Sequence, residues 1–231
     1  MNLRDLPSDE LERALAGDGL GLDFGAVRVR LRTPVRELAG ILRTVYGAYP
    51  AAAPTGFYDI SARLTPVGGM RQLFRPQVNL SIDGESPFDP FPADTHFPLL
   101  EWGVNWAFAM RGNHHLLLHA GVVERGGRAV VLPALPASGK STLTAALSTR
   151  GFRLLSDEFA VVRLADTALL PIPRAVALKN ESIEIIRAFA PDAVLGLEFP
   201  KTRKGRVAHL APSEASVAAR SVAATPALIV F

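Results

Sequence analysis

The chain has 231 residues, of which 48% are apolar and 20% are charged, and this balance excludes a largely disordered protein. The sequence holds no cysteine, which excludes disulfide bonds, thiolate catalysis and a cysteine-based zinc site. The formal net charge is only +3 and the basic residues are scattered, so no nucleic-acid partner is expected.

The N-terminal segment MNLRDLPSDELERAL is acidic and lacks the apolar stretch that a signal peptide needs. No apolar run approaches the ~18 residues of a membrane-spanning helix. We therefore expect a cytoplasmic protein that has no membrane partner.

The first part of the chain alternates between helical and strand-like patterns. The predicted elements are a helix at 8–16, a half-buried strand at 26–32, a helix opened by Thr33-Pro34, and strands near 57–64 and 72–82. Residues 83–98 are rich in Pro, Asp and Gly and predict a long connection. This connection predicts a smaller N-terminal α+β region at 1–95 and a second domain at 96–231.

The second domain begins with a predicted helix at 98–113, which starts with proline and ends with Gly-Asn. Trp102 and Trp106 share one face of this helix, and we expect them to pack in the core rather than to stack on a base. Two apolar segments, 115–123 and 128–132, predict a hairpin because a glycine-containing polar link joins them.

The next segment, LPALPASGKST, carries half of a phosphate-binding loop, whose pattern is Gly, four residues, Gly-Lys and then Ser or Thr. Gly139-Lys140-Ser141 is intact, but Ala134 stands where the first glycine belongs. An apolar strand precedes the loop and an alanine- and leucine-rich helix follows it, as a phosphate site requires. Alanine is the smallest substitute for glycine, so we expect a working site.

We expect this loop to bind ATP. The predicted nucleotide-binding residues are Ala134, Leu135, Pro136, Ala137, Ser138, Gly139, Lys140, Ser141 and Thr142. Lys140 would contact the β- and γ-phosphates, and the Ser141 hydroxyl would help to hold Mg²⁺.

An acidic pair, Asp157 and Glu158, follows the next predicted strand at 152–155. In a strand–loop–helix–strand unit, the end of the second strand returns beside the loop. One carboxylate can then bind metal while the other takes a proton from an attacking hydroxyl. We assign the base to Asp157 and the metal to Glu158 with Ser141, although the two carboxylates could exchange roles. Asp166 is a rival metal ligand.

Two basic segments are candidates for contact with the phosphate acceptor. Lys179 precedes a predicted helix, and Arg203 and Lys204 belong to a basic cluster around Gly205. Such cations can neutralise a transferring phosphate or bind an acidic peptide. The alternative is a solvated surface loop.

The segments ASGKST, LLSDE and LHAGVV together resemble the catalytic domain of HPr kinase/phosphorylase. That family has a histidine followed by a small residue before the hairpin that leads into the loop, and His119 matches it here. PALPASGKSTLTAAL, LLSDEF, LKNESIEIIRAFAP and TRKGRVAHL are similar to a bacterial subgroup, the HPr kinase-related kinase A proteins. The likeness covers about residues 96–215, and more loosely the N-terminal part.

The resemblance implies an α/β fold with a P-loop kinase core, which carboxykinases share, and a smaller N-terminal α+β region. It implies an ATP- and Mg²⁺-dependent kinase whose acceptor is a serine of a peptide or small protein. Asp157, His119 and Lys140 would carry catalysis, with His119 near the γ-phosphate. It also implies a homo-oligomer, since HPr kinases are hexamers.

The sequence also departs from the family. FPKTRKGRVAHL stands where true HPr kinases have a Pro-Gly-Arg-Asn segment, so little phosphate-dependent dephosphorylation is expected. The rival functions are a small-molecule or carboxykinase-like phosphotransferase and a nucleotide-binding regulatory module without catalysis, which Ala134 favours. The final ALIVF predicts a strand that stops at Phe231, and we expect the native chain to continue.

Overall fold

The computed structural model describes residues 1–52, 55–135 and 137–231, without the side chains of residues 71 and 72. It is a mixed α/β structure with three β-sheets and six α-helices in these residues. Within the same ranges, no helix combines the length and the apolar character that crossing a bilayer requires.

The helices agree with most of the predicted ones. They are α1 (Ser8–Ala16), α2 (Glu37–Val45), α3 (His96–Arg111), α4 (Lys140–Ser148), α5 (Glu181–Phe189) and α6 (Glu214–Ala218), with short 3₁₀ helices at Leu3–Asp5, Met70–Leu73 and Ala93–Thr95. The second helix begins later than Thr33-Pro34, because the Thr33 hydroxyl accepts a hydrogen bond from the Val35 N–H (3.0 Å) and holds these residues in a turn.

The strands include the predicted hairpin. In chain order they are β1 (Leu20–Asp23), β2 (Arg28–Arg32), β3 (Ile60–Pro66), β4 (Gln77–Ile82), β5 (Phe91–Pro92), β6 (His115–Arg125), β7 (Arg128–Pro133), β8 (Arg153–Ser156), β9 (Phe159–Arg163), β10 (Leu169–Leu170), β11 (Val176–Lys179), β12 (Phe199–Thr202), β13 (Gly205–Leu210) and β14 (Thr225–Ile229). The strand predicted over 72–82 is shorter than expected, because the Met70–Leu73 3₁₀ helix precedes it.

The strands form three sheets. The first runs in the order β1-β2-β3-β4-β5, and the third in the order β11-β13-β12. The second, which carries the candidate site, runs β10-β9-β6-β7-β14, and β8 also pairs with β6. The long strand β6 is the centre of this second sheet, with β7 on one side and β9 and β8 on the other.

The hydrophobic core extends across residue 95, where the predicted boundary lies. Helix α3 packs closely on the first sheet, since a Cβ added at Gly103 would lie 2.1 Å from Leu80 Cδ2. The same apolar cluster includes Val161 and Ile172 from the second half of the chain. Residues 1–95 therefore share a core with the part of the chain that carries the predicted site, and the division into two domains stays a prediction.

Candidate functional site

The predicted strand–loop–helix unit is present. Strand β7 ends at Pro133 and helix α4 begins at Lys140, so residues 134–139 form the connection. Pro136, one of the predicted nucleotide-binding residues, lies outside the described residues. The loop is open to solvent, and the Leu135 side chain is 82% exposed.

The backbone of this loop explains how it can lack its first glycine. Among the described loop residues, the left-handed conformations fall at Ala137 (φ 68°) and Gly139 (φ 91°), not at Ala134. Glycine is favoured where φ is positive, although Ala137 adopts this conformation here, and the backbone of Ala134 does not need it. The left-handed conformation of Ala137 was not predicted, because the sequence does not show which loop residue adopts it.

The N-terminus of α4 has free backbone donors. The first N–H groups of any helix have no partner within the helix, and no side chain of the described residues caps them here. A Cβ added at Gly139 would meet nothing within 4 Å, so an anion can approach this backbone closely. The helix dipole adds to the attraction for negative charge. Thr142, also predicted to bind nucleotide, donates its hydroxyl proton to the Ser182 hydroxyl of α5 (2.8 Å).

Helix α4 also lies very close to the central strand. A Cβ at Gly121 of β6 would be 2.1 Å from the Thr144 hydroxyl oxygen, and that hydroxyl donates to the Lys140 carbonyl (2.9 Å). Gly121, the second residue after His119, therefore allows the helix to pack on the sheet.

Strand β8 brings the acidic pair to the loop. Both β7 and β8 run antiparallel to β6, so they are parallel to each other and their carboxyl ends meet at one edge. Asp157 follows β8 directly, and the Lys140 ammonium donates a hydrogen bond to the Asp157 backbone carbonyl. The lysine, the loop and the acidic pair are thus together, as the sequence predicted.

The Asp157 carboxyl group is buried and has no hydrogen-bond partner of ordinary geometry among the described residues. The pKa of Asp157 is raised to about 7, mainly by burial and in smaller part by the nearby charge of Glu158. Lys140, the Ser141 hydroxyl and Lys179 act in the opposite direction. A buried carboxyl with free oxygens and a pKa near neutrality is suited to accept a proton.

Glu158 and His119 lie at the more open side of the same corner. The His119 Nδ1 atom is 3.7 Å from Glu158 Oε2, and the two side chains are 50% and 35% exposed. Strand pairing sets this arrangement, because His119 of β6 is the register partner of Phe159, the residue after Glu158. His119 is therefore not a core histidine, and it faces the acidic pair.

The basic residues predicted to face the acceptor are in two different environments. Lys179 is half-buried, and burial and Lys204 lower its pKa, whereas Glu158 and Asp157 raise it. Lys179 therefore places positive charge beside Asp157 and Glu158, the pair that forms the acidic corner. Lys204 lies close enough to Lys179 to lower its pKa. The Arg203 guanidinium instead lies over the Phe91 ring, 4.5 Å from its centroid, at the edge of the first sheet.

The remaining sequence candidates lie elsewhere. Asp166 is exposed in the β9–β10 turn, where Arg163 binds both of its carboxylate oxygens (2.8 and 2.6 Å). Arg163 lowers the pKa of Asp166 to about 2, so this carboxylate is already neutralised by its neighbour. Trp102 and Trp106 both contact the Phe88 ring, at 4.4 and 5.2 Å between centroids, but Trp102 is exposed and Trp106 is only partly buried. The prediction that both pack in the core is therefore wrong for Trp102, which packs on the surface of the fold.

A buried polar cluster beneath the acidic corner was missed by sequence reasoning. Its four members are Tyr46, Glu101, Asn105 and Arg174. Arg174 donates to the Glu101 carboxylate (2.6 Å), to the Glu101 carbonyl (2.9 Å) and to the Asn105 side chain, while Tyr46 donates to the other Glu101 oxygen (2.8 Å). The one available signal was Arg174 itself, a lone charge within the apolar segment PIPRAVAL.

The cluster joins distant parts of the chain to the site. Tyr46 belongs to the N-terminal region, Glu101 to α3, and Arg174 to the segment that leads into β11 and Lys179. In addition, the Tyr49 hydroxyl donates to the Pro173 carbonyl (2.7 Å). The N-terminal region therefore fixes the backbone on which one side of the candidate site is built.

Among the described residues, no group of three or more His, Cys, Asp or Glu side chains is placed to hold a metal ion. The oxygen donors near the loop are the Ser141 hydroxyl and the acidic pair. Comparisons of the chain with protein-family models, curated proteins and solved structures found no match.

Proposed function

We propose that the chain is an ATP-dependent phosphotransferase that moves the γ-phosphoryl group of ATP to a hydroxyl, most specifically a serine of a peptide or small protein. The fold we propose for residues 96–231 is a P-loop kinase core like that of HPr kinase. The observation that carries the proposal is the buried, unpartnered Asp157 carboxyl beside Lys140 and the uncapped end of α4.

The phosphates of ATP would bind to the loop at 134–139 and to the first turn of α4. The free N–H groups there donate to phosphate oxygens, and the helix dipole favours their charge. Lys140, which donates to the Asp157 carbonyl without nucleotide, is close enough to the loop to contact the β- and γ-phosphates instead.

Oxygen donors for a hard cation are adjacent to the loop, and they fit Mg²⁺. The unpartnered Asp157 oxygens, the Ser141 hydroxyl and Glu158 supply both charge and neutral oxygen. We assign Ser141 and Glu158 to the metal. When bound, Mg²⁺ neutralises charge on the β- and γ-phosphates.

Asp157 is the proposed general base. It removes the proton from the acceptor hydroxyl as that oxygen bonds to the γ-phosphorus, while the bond to the β–γ bridging oxygen breaks and ADP leaves. A pKa of about 7 leaves a substantial ionised fraction at neutral pH, and the same carboxyl binds the proton after transfer. His119, beside Glu158, is proposed to lie near the γ-phosphate.

The acceptor would approach past Lys179 and Lys204, which supply positive charge next to the acidic corner. Cations in this position favour an acceptor with acidic residues near its hydroxyl. Arg203 is engaged with Phe91 and would contribute at the rim only. The proposed compartment is the cytoplasm, and a homo-oligomer stays a prediction from the resemblance.

The proposal is tested by following the γ-phosphate of labelled ATP. Wild-type protein with Mg²⁺ should transfer label to serine in a library of acidic peptides, and Lys140→Ala should not. Label on a small metabolite but on no peptide would favour the small-molecule phosphotransferase. ATP binding without transfer to any acceptor, water included, would favour the non-catalytic module.

A further inference from the structure

A small cavity is lined by the acidic pair Asp157 and Glu158 and by residues of the buried polar cluster, and no described residue of the loop lines it. Its volume is about 30 Å³, and its polar lining comes from Glu101, Asn105, Ser156, Asp157, Glu158, Arg174 and His209. A buried cavity needs only ~10–15 Å³ to hold a water molecule, so one or two molecules fit here.

Three groups around this cavity carry buried polar atoms without a hydrogen-bond partner in the described part of the chain. They are both Asp157 carboxyl oxygens, Arg174 Nε and His209 Nδ1. An arginine nitrogen can only donate and a carboxylate oxygen can only accept. Burial lowers the pKa of His209 to about 3, so its ring is neutral and Nδ1 can take either role.

A water molecule is the ligand that such a set recognises. It accepts from Arg174 Nε, donates to Asp157 and pairs with His209 in either direction. A buried polar atom left without any partner is unfavourable, so hydration of this set is favourable. A metal cation suits the cavity less, because the guanidinium of Arg174 faces the same space.

Arg174 is held too firmly to bind Asp157 directly. Its two terminal nitrogens are engaged with Glu101 and Asn105. His209 is also fixed, since its ring packs edge-on against Phe97 with 4.8 Å between centroids. Both groups therefore present their free nitrogens from a rigid frame.

We propose that this cavity is a water site, and that the bound water makes Arg174 and His209 positioning residues for the Asp157 carboxyl. The water would bind the Asp157 carboxyl from the cavity, while the same carboxyl faces the loop on its other side. A displacement of a catalytic group by about 1 Å can cost up to 10²-fold in rate, so this hold affects turnover. The catalytic consequence rests on the proposed function, whereas the water site is a property of the folded chain alone.

A high-resolution crystal structure of the wild-type chain tests the water site directly. We expect ordered water within hydrogen-bond distance of the Asp157 carboxyl and of Arg174 Nε or His209 Nδ1. A dry cavity, a direct bond between Asp157 and either residue, or a metal ion in the cavity would overturn the proposal.

Two variants of His209 test the catalytic consequence. His209→Phe keeps a ring against Phe97 but removes Nδ1, whereas His209→Asn retains a polar atom near the position of Nδ1. The assays are calorimetric binding of Mg·ATP and the rate of ATP hydrolysis with water as acceptor. We expect His209→Phe to lower the rate roughly 10-fold or more with unchanged affinity, and His209→Asn to recover most of it.

Equal rates in both variants and the wild type would contradict the positioning role, as would equal losses in both. If His209→Phe does not fold, as judged by lost Mg·ATP binding, the crystal structure still decides. If the wild type neither binds nor hydrolyses ATP, the proposed function fails, and the crystal structure tests the water site independently.

Discussion

The described residues of the loop at 134–139 are exposed except for the partly buried Ala134, whereas the Asp157 carboxyl lies on buried, paired charges. The described loop residues offer backbone donors from left-handed positions, and no side chain caps the helix that follows. Asp157, by contrast, is buried above the cluster of Tyr46, Glu101, Asn105 and Arg174. One side of the site thus depends on local backbone conformation, and the other on long-range packing.

Because of this difference, substitutions on the two sides of the site should have different effects. A change in the loop should alter nucleotide affinity and leave the fold intact, because little packs on it. A change beneath Asp157 should alter both stability and turnover, because a buried charge left without its partner is costly.

The largest effect is expected from Asp157→Asn, which removes the proposed proton acceptor without removing a proposed phosphate contact. Turnover should fall by roughly 10²- to 10⁴-fold, the usual contribution of a positioned base, with Mg·ATP affinity nearly unchanged. Glu158→Gln is the matched variant and should instead weaken the response of turnover to Mg²⁺ concentration.

Turnover measured against Mg²⁺ concentration for both variants distinguishes the two roles. If excess Mg²⁺ rescues Asp157→Asn and does not rescue Glu158→Gln, the two carboxylate roles are exchanged. Full activity in both variants would reduce the acidic pair to a turn.

The next effect concerns the buried pair beneath the corner. Arg174→Met leaves the buried Glu101 without its counter-charge, so the free energy of unfolding should fall by about 3–5 kcal/mol. The double variant Glu101→Leu/Arg174→Met removes both charges and should recover most of this loss. Chemical denaturation of the wild type, the single variant and the double variant measures these free energies of unfolding. A double variant less stable than Arg174→Met would contradict the account of the pair.

A pH dependence of stability follows from Asp157. Its pKa in the folded chain, about 7, lies above the ordinary value of 3.8, so the folded state binds the proton more tightly. This contribution to stability is fully present below about pH 4 and is lost as the pH rises to about 7. Asp157→Asn cannot titrate, so its stability relative to the wild type should rise over that range, by at most about 4 kcal/mol.

Denaturation of the wild type and Asp157→Asn at several pH values gives the difference between their free energies of unfolding at each pH. A difference that stays constant between pH 4 and 7 would mean that the Asp157 carboxyl keeps an ordinary pKa.

The smallest effect is expected in the loop. Gly139→Ala puts a Cβ on a residue with φ 91°, which costs about 1–2 kcal/mol for a non-glycine residue. Mg·ATP affinity should fall by up to about 10-fold as the loop relaxes. Gly127→Ala, at φ 80° in the β6–β7 turn, has the same strain and the same free space around its Cβ. Calorimetry should show unchanged affinity for this control, and an equal loss in both variants would point to general destabilisation.

The sequence predicted the parts of the site that depend on neighbouring residues. The strand, loop and helix around Lys140 follow from hydrophobic pattern and glycine placement, and the return of Asp157 follows from the topology of such a unit. The left-handed turn at Ala137 and the start of α2 at Glu37 were not predictable, because local hydrogen bonds and tertiary packing decide them.

The buried cluster could not be predicted at all from periodicity. Glu101 and Arg174 are 73 positions apart, and Tyr49 and Pro173 are 124 apart. These residues come together only in the folded chain. Helix α3 has apolar residues on most of its faces, so its pattern does not show which face is buried, and the sequence alone suggests that Glu101 is exposed. Buried polar residues of this kind are where local pattern and tertiary structure disagree.

The central claim, that this loop and Lys140 form a nucleotide site, is tested most directly by calorimetric titration of Mg·ATP. The wild type should bind at a single saturable site, and Lys140→Ala should weaken binding roughly 10- to 10²-fold, since a hydrogen bond to a charged group contributes about 1.5–3 kcal/mol. Lys201→Ala, which removes an exposed lysine of β12, is the charge-matched control and should bind like the wild type. No saturable binding by the wild type, or equal binding by wild type and Lys140→Ala, would contradict the claim.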